Sequence, residues 1–196
     1  MTDLLYYIPE NPENAEERQG QCLLFEAFAA SLKLSVRELS DADMERSMEE
    51  LCHNDDQERG NGEKKEDERL FSEGKLPFLF IAVEDKTHLS DFLTLLAGAR
   101  HKGLLHFPLK AAITENNSQW TLRQLLGELG KEHHWFERFE YMQGLMAQAE
   151  KNLEAKENPG LQMALEEASS FFERPDAPEL SEIENMIEKL ERNCKR

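Results

Sequence analysis

The sequence predicts an α/β fold: two βαβ units forming a small, mostly parallel sheet of about four strands, with a C-terminal helical extension. Short apolar runs of strand length lie near residues 3–8, 34–39, 76–83 and 109–114, with helix-length amphipathic stretches between them. A helix linking two neighbouring strands makes them parallel, with a right-handed crossover. Beyond Thr121 the apolar residues recur at helical spacing.

The first run, Asp-Leu-Leu-Tyr-Tyr-Ile, stops at Pro9 and reads as a strand. Asn14 with Glu17 three residues later is a helix start. Leu24, Ala27, Phe28 and Ser31 then recur at helical spacing, with Leu23 and Leu32 flanking, and are expected to face the core. Leu34 and Val36, with Leu39 beyond, alternate with polar residues as a half-buried strand does. Ser40 or Asp41 can cap a short helix carrying Met44, Met48 and Leu51, which would serve as a crossover to the third strand. The rival topology is a ferredoxin-like split βαβ.

Residues 53–69 hold eleven charges and no apolar side chain, so the stretch 53–75 is expected to be a mobile charged insertion. Leu76–Val83 is the most apolar stretch and is expected to be the central strand, buried on both faces. Leu89, Phe92, Leu93, Leu96 and Ala99 mark the next helix, and Leu109–Thr114 the last strand. Domain limits are expected at 1–134 and 135–196.

The composition narrows the function classes. Forty acidic residues against 23 basic give a net charge of −17. A sequence-independent nucleic-acid binder needs cations to neutralise phosphates, so that class is disfavoured. No apolar run reaches membrane-spanning length. The first residues lack a basic and then long apolar segment, and the three cysteines are isolated. A cytoplasmic protein is expected, with no membrane or nucleic-acid partner.

After the last strand comes Thr114-Glu-Asn-Asn-Ser-Gln-Trp-Thr121. Thr121 and Gln124 fit a capping box, with Trp120 and Leu125 placed for a hydrophobic staple. Thr114 and Asn117 lie at the carboxyl end of a parallel strand, where open α/β sheets bind ligands. The loops holding Glu10, Asn11, Glu84 and Asp85 are expected at the same edge. With Lys110, they form the candidate ligand-binding set. Turn chemistry alone also explains Asn and Thr at such positions, and it is the favoured reading.

Lys110-Ala-Ala-Ile-Thr114, Asn117, Trp120, Glu128-Leu129 and Glu132-His133 together resemble the signature of a small bacterial family known as a domain of unknown function. The likeness runs from about Leu76 to His134 and is weaker in the first βαβ unit. That family often has proline after the threonine, where this chain has Glu115. The resemblance implies a bacterial source and assigns no chemistry.

No phosphate-binding glycine loop, nucleophile elbow or paired-histidine metal motif occurs. No cofactor or metal is expected. In the C-terminal third, Trp135, Phe139, Met142, Met146, Ala149 and Leu153 form a heptad seam. Asn158-Pro159 starts a helix bearing Leu161, Leu165, Ala168 and Phe172. The last helix carries Leu180, Ile183, Ile187, Leu190 and Cys194. Phe139, Met142, Met146, Ile183, Ile187 and Leu190 are expected in one contiguous cluster. They would close an intramolecular helical appendage, or form a homodimer interface or hold a partner helix. A non-enzymatic interaction or regulatory protein is therefore the leading functional expectation. The alternative is a small-ligand or enzymatic domain using the polar loops.

Overall fold

The computed structural model describes residues 2–9, 15–53, 76–82, 86–101 and 106–194. It divides into two compact units, Met1–Gly130 and Lys131–Arg196.

Unit 1 holds β1 (Leu4–Tyr7), α1 (Ala15–Ser31), β2 (Val36–Glu38), a 3₁₀ turn (Asp41–Asp43), α2 (Met48–His53), β3 (Phe78–Ile81), α3 (Lys86–His101), β4 (Leu109–Ala112) and the start of α4 (Leu122–Ala155). The sheet order is β2-β1-β3-β4. β1 pairs parallel with β2, and β3 parallel with β4. The two βαβ units and the four strands are as expected, and neither unit is split.

The pairing between the units differs from expectation. β1 and β3 are antiparallel, Leu4 opposite Ile81 and Tyr7 opposite Phe78. The second unit therefore runs against the first, and α2 does not act as a parallel crossover. α2 ends beside the start of β1, where Thr2 N–H donates to the Cys52 carbonyl at 2.9 Å, whereas β3 begins opposite the end of β1. The apolar run of β3 marks burial on both faces. It carries nothing that marks direction.

Both central strands are fully buried because side chains alternate between two packed faces. Leu4, Tyr6, Ile8, Leu79 and Ile81 pack with Cys22, Phe25 and Ala29 of α1 and with Phe92 and Leu96 of α3. Leu5, Tyr7, Phe78 and Phe80 pack with Met48 and Leu51 of α2 and with Leu122, Leu125 and Leu126 of α4. The core face of α1 is thus Cys22, Phe25 and Ala29, whereas Leu23 and Leu24 are 58% and 39% exposed. Apolar residues occupy most of positions 22–30, so periodicity alone did not fix the phase of this helix. Leu93 of α3 is exposed for the same reason.

The two halves of unit 1 repeat one order of elements, strand–helix–strand–turn–helix, about an approximate local two-fold through the β1–β3 pair. Ser40, Asp43, Ser47 and Glu50 correspond to Thr114, Asn117, Thr121 and Gln124, each 74 residues further on. The bonds at the strand ends differ by one residue: Leu39 N–H donates to Tyr6 O at 2.7 Å, whereas Ile113 N–H donates at 2.9 Å to Ile81 O, one past Phe80, the counterpart of Tyr6. Between the halves, Met48 N–H donates to Trp120 O and Leu122 N–H to Arg46 O, at 2.9 and 3.0 Å. Glu49 N–H donates to Ser118 O and Arg123 N–H to Met44 O, at 2.8 and 2.9 Å. Each pair is the other exchanged by the two-fold.

Unit 2 holds the rest of α4, α5 (Pro159–Ser169), a 3₁₀ turn (Ser170–Glu173) and α6 (Leu180–Cys194). Met142, Leu145, Ala149, Leu161, Ala164, Ala168, Phe171, Ile183, Met186, Ile187 and Leu190 form its core. Asn158 caps α5 by accepting from Leu161 N–H at 3.1 Å, and its amide donates to Asn193 O at 3.1 Å. Gly144 leaves α4 continuous, as expected.

One residue of the predicted stripe is misplaced: Phe171 is buried and Phe172 is 50% exposed. The chain tightens to a 3₁₀ turn at Ser170. With three residues per turn, the residue three beyond Ala168 returns to the inner face, not the residue four beyond.

Arg138 grips Glu184 of α6 with two bonds of 2.6 and 2.7 Å. This bond holds the Glu184 carboxyl below its ordinary value of 4.5. A carboxyl with a lowered folded-state pKa contributes fully above that ordinary value and loses its contribution as pH falls below it. The side chain is partly exposed, so the effect is under about 1 kcal/mol. Glu184→Gln should therefore flatten the acid-side fall of unit 2 stability in circular-dichroism melts taken between about pH 6 and pH 3. An unchanged pH slope would show that the pair contributes nothing.

Candidate functional site

The polar turn after β4 is built around two reciprocal side-chain and backbone pairs. Thr114 N–H donates to Asn117 Oδ1 at 2.8 Å, and Asn117 N–H to Thr114 Oγ1 at 3.2 Å. The Asn117 amide also donates to Ala112 O at 2.9 Å. Thr121 and Gln124 form the expected capping box, at 3.0 and 3.2 Å. Its counterpart in the first half is Ser47 with Glu50, at 3.1 and 3.2 Å. The two N-cap residues, Ser47 and Thr121, face each other as an antiparallel bridge. Trp120, expected in a hydrophobic staple, is 37% exposed.

Asp43 is the first-half counterpart of Asn117 and is 8% exposed. Its carboxylate accepts from Ser40 N–H at 2.9 Å and from Ser40 Oγ at 3.0 Å. Arg37 and Arg46 each reach it at 3.2 Å. This Ser/Thr and Asp/Asn pattern, repeated 74 residues apart, was the signal in the sequence for both turns. Single motifs drew attention to the second turn alone.

The turn bonds account for Thr114 and Asn117. Lys110 lies on edge strand β4, and its ammonium turns back to donate to Phe107 O. Partial burial, with the Arg100 cation as a lesser cause, pushes its pKa down. Asn11, Glu84 and Asp85, with Glu10, lie outside the described residues.

Strand direction sets the end of β1 apart from the ends of the other two strands. β1 and β3 are antiparallel, so the carboxyl end of β1 lies at one edge and the carboxyl ends of β3 and β4 at the other. Thr114 and Asn117 therefore follow a strand end opposite to that of β1.

Cys22 and Cys52 are buried free thiols. Burial pushes the Cys22 thiol up, and the Cys52 thiol up to about 11. The Tyr6 hydroxyl, fully buried and donating to Glu26 at 2.8 Å, is pushed up as well, mainly by burial. Among the described residues no group of three or more His, Cys, Asp or Glu could hold a metal ion. An open depression of about 450 Å³ lies in unit 2, lined by Asn152, Lys156, Asn158, Asn193 and Cys194 among others.

In unit 2 the six nominated apolar residues do form one cluster. Met142, Ile183, Ile187 and Leu190 are in its buried core, and Phe139 and Met146 pack against it. They close the unit on itself, so what unit 2 offers a partner comes from other side chains.

Sequence reasoning named Trp135, Phe139 and Phe172 as core-facing but missed Phe136 and the contacts that join the four rings. Trp135 stacks on Phe139 at 4.9 Å, Phe136 meets Trp135 edge-on at 5.1 Å, and Phe172 lies 5.4 Å from Phe139. Trp135 is anchored by donating to Pro178 O at 2.8 Å. Phe136 and Phe172, at the two ends of this row, are 49% and 50% exposed.

Among the described residues no helix is long and apolar enough to cross a membrane. No curated protein and no solved structure matches the chain. Residues 85–136, which hold α3, β4, the polar turn and the first part of α4, match the model of a family described as Domain of unknown function (DUF3783), and over that segment the chain is similar to that family.

Proposed function

We propose that this chain is a non-enzymatic interaction protein that docks a partner through its C-terminal helical unit. One observation carries this reading. Unit 2 closes its own core, yet the aromatic row keeps two half-exposed phenylalanines at its ends. Clustered exposed aromatics are a common feature of docking surfaces. The polar turns support the same reading from the other side, because their Ser, Thr, Asp and Asn groups bond within unit 1.

The test compares cross-linked complexes of the full chain with those of two double variants. Phe136→Ser with Phe172→Ser should lose the cross-linked partner. Leu23→Ser with Leu24→Ser, which removes an exposed apolar pair in unit 1, should retain it. The same set of cross-linked proteins in all three would overturn the reading.

A further inference from the structure

We infer that the aromatic row of unit 2 takes a basic amphipathic helix from a protein partner. This rests on the docking reading above and adds the chemistry of the occupant.

The open ring surface is at the ends of the row, where Phe136 and Phe172 are each about half exposed, while Trp135 and Phe139 between them pack against the core of the unit. An amphipathic helix covers such surface with its apolar face.

The charge around the row sets the sign of the partner. Glu132 and Glu140 lie one turn before and one turn after Phe136 on the same helix face, and both are exposed. Glu173 follows Phe172 directly and is also exposed. Of the nearby cations, Arg138 and Arg174 are already engaged by Glu184 and Glu182 of α6, and Lys131, one turn before Trp135, offsets one of the three carboxylates. The surplus at the rim is therefore negative. Lysine or arginine side chains flanking an apolar stripe would meet carboxylates at the rim and the faces of Phe136 and Phe172 inside it. A second copy of this chain would bring the same acidic rim against itself and is disfavoured on charge.

The full chain is titrated with a synthetic leucine–lysine amphipathic helix, with its leucine–glutamate counterpart, and with a scrambled lysine peptide of equal composition. In a Trp120→Phe background Trp135, inside the row, is the sole tryptophan, so its fluorescence reports occupancy, and calorimetry gives the affinity. The amphipathic lysine helix should bind at least about tenfold more tightly than either comparison peptide. Added salt should weaken it. Phe136→Ser with Phe172→Ser should weaken it by about tenfold or more. Glu132→Gln, Glu140→Gln and Glu173→Gln together should do the same while leaving the rings in place. All five substituted residues are exposed, so circular dichroism should show folding unchanged.

Equal binding of the glutamate helix, lost in the phenylalanine variant, would overturn the basic partner and leave the docking reading standing. Binding indifferent to Phe136 and Phe172 would overturn both. A doubled mass in solution that the phenylalanine variant abolishes would assign the row to a second copy and overturn the inference.

Discussion

Phe25→Ala should cost unit 1 about 4 kcal/mol, within the range for truncating a buried phenylalanine. Phe25 is 0% exposed and sits between two rings. Tyr6 meets it at 5.0 Å and Phe107 at 4.9 Å, both edge-on. Truncation opens a cavity and removes two aromatic contacts, each of which adds about 0.5–1.5 kcal/mol beyond burial. A domain has only about 5–15 kcal/mol in total, so the variant should approach the unfolding threshold. Native-state hydrogen exchange on peptides covering β1 and β3 reads the change, because those strands pack against the lost ring. Phe28→Ala is the comparison. Phe28 is only partly buried, so it should cost clearly less. A loss of under about 1.5 kcal/mol for Phe25→Ala would mean that the core relaxes around the gap.

The second large effect is at Asp43. Asp43→Ala should destabilise unit 1 by about 3 kcal/mol, because it leaves Arg37 and Arg46 facing each other without their shared carboxylate. It also frees the Ser40 N–H and hydroxyl. The chain carries its own control for the neutral form, since Asn117 serves the same turn in the second half. Asp43→Asn keeps the acceptor for Ser40 and loses the charge, so it should cost about 1–2 kcal/mol. Asn117→Ala removes turn bonds with no arginine involved and should also cost about 1–2 kcal/mol. Urea unfolding of the three variants separates turn from charge. If Asp43→Asn matched Asp43→Ala, the two arginines would account for nearly all of the loss.

The sequence disclosed those parts of the fold whose signals are local. Leu76–Val83 announced a central strand because continuous apolarity over eight residues needs two covered faces. The seam from Trp135 to Leu153 and the stripe from Ile183 to Leu190 announced helices with a common core, and they share one. Thr121 with Gln124 and Asn158 with Pro159 announced helix starts, because caps are written in adjacent residues.

Non-local facts were less legible. Strand direction depends on the path between α2 and β3, and no side chain of β3 encodes it. The burial of Phe171 in place of Phe172 depends on one tightened turn. The candidate site suffered most. It required loops from strands of one direction, and the antiparallel β1–β3 pair places their carboxyl ends apart. The aromatic row escaped notice because Phe136 is out of phase with the heptad seam, and only the fold shows that the rings touch.

The local two-fold of unit 1 bears on how that unit responds to concentration. The β1–β3 pair and the exchanged bonds around Ser47 and Thr121 have the form of an isologous subunit interface, the same patch used on both sides. As separate chains, two such halves would associate by mass action and fall apart on dilution. Joined in one polypeptide, they meet at an effective concentration set by the tether. The contact thus has the form of a homodimer interface held within one polypeptide, and its integrity is independent of how much protein is present.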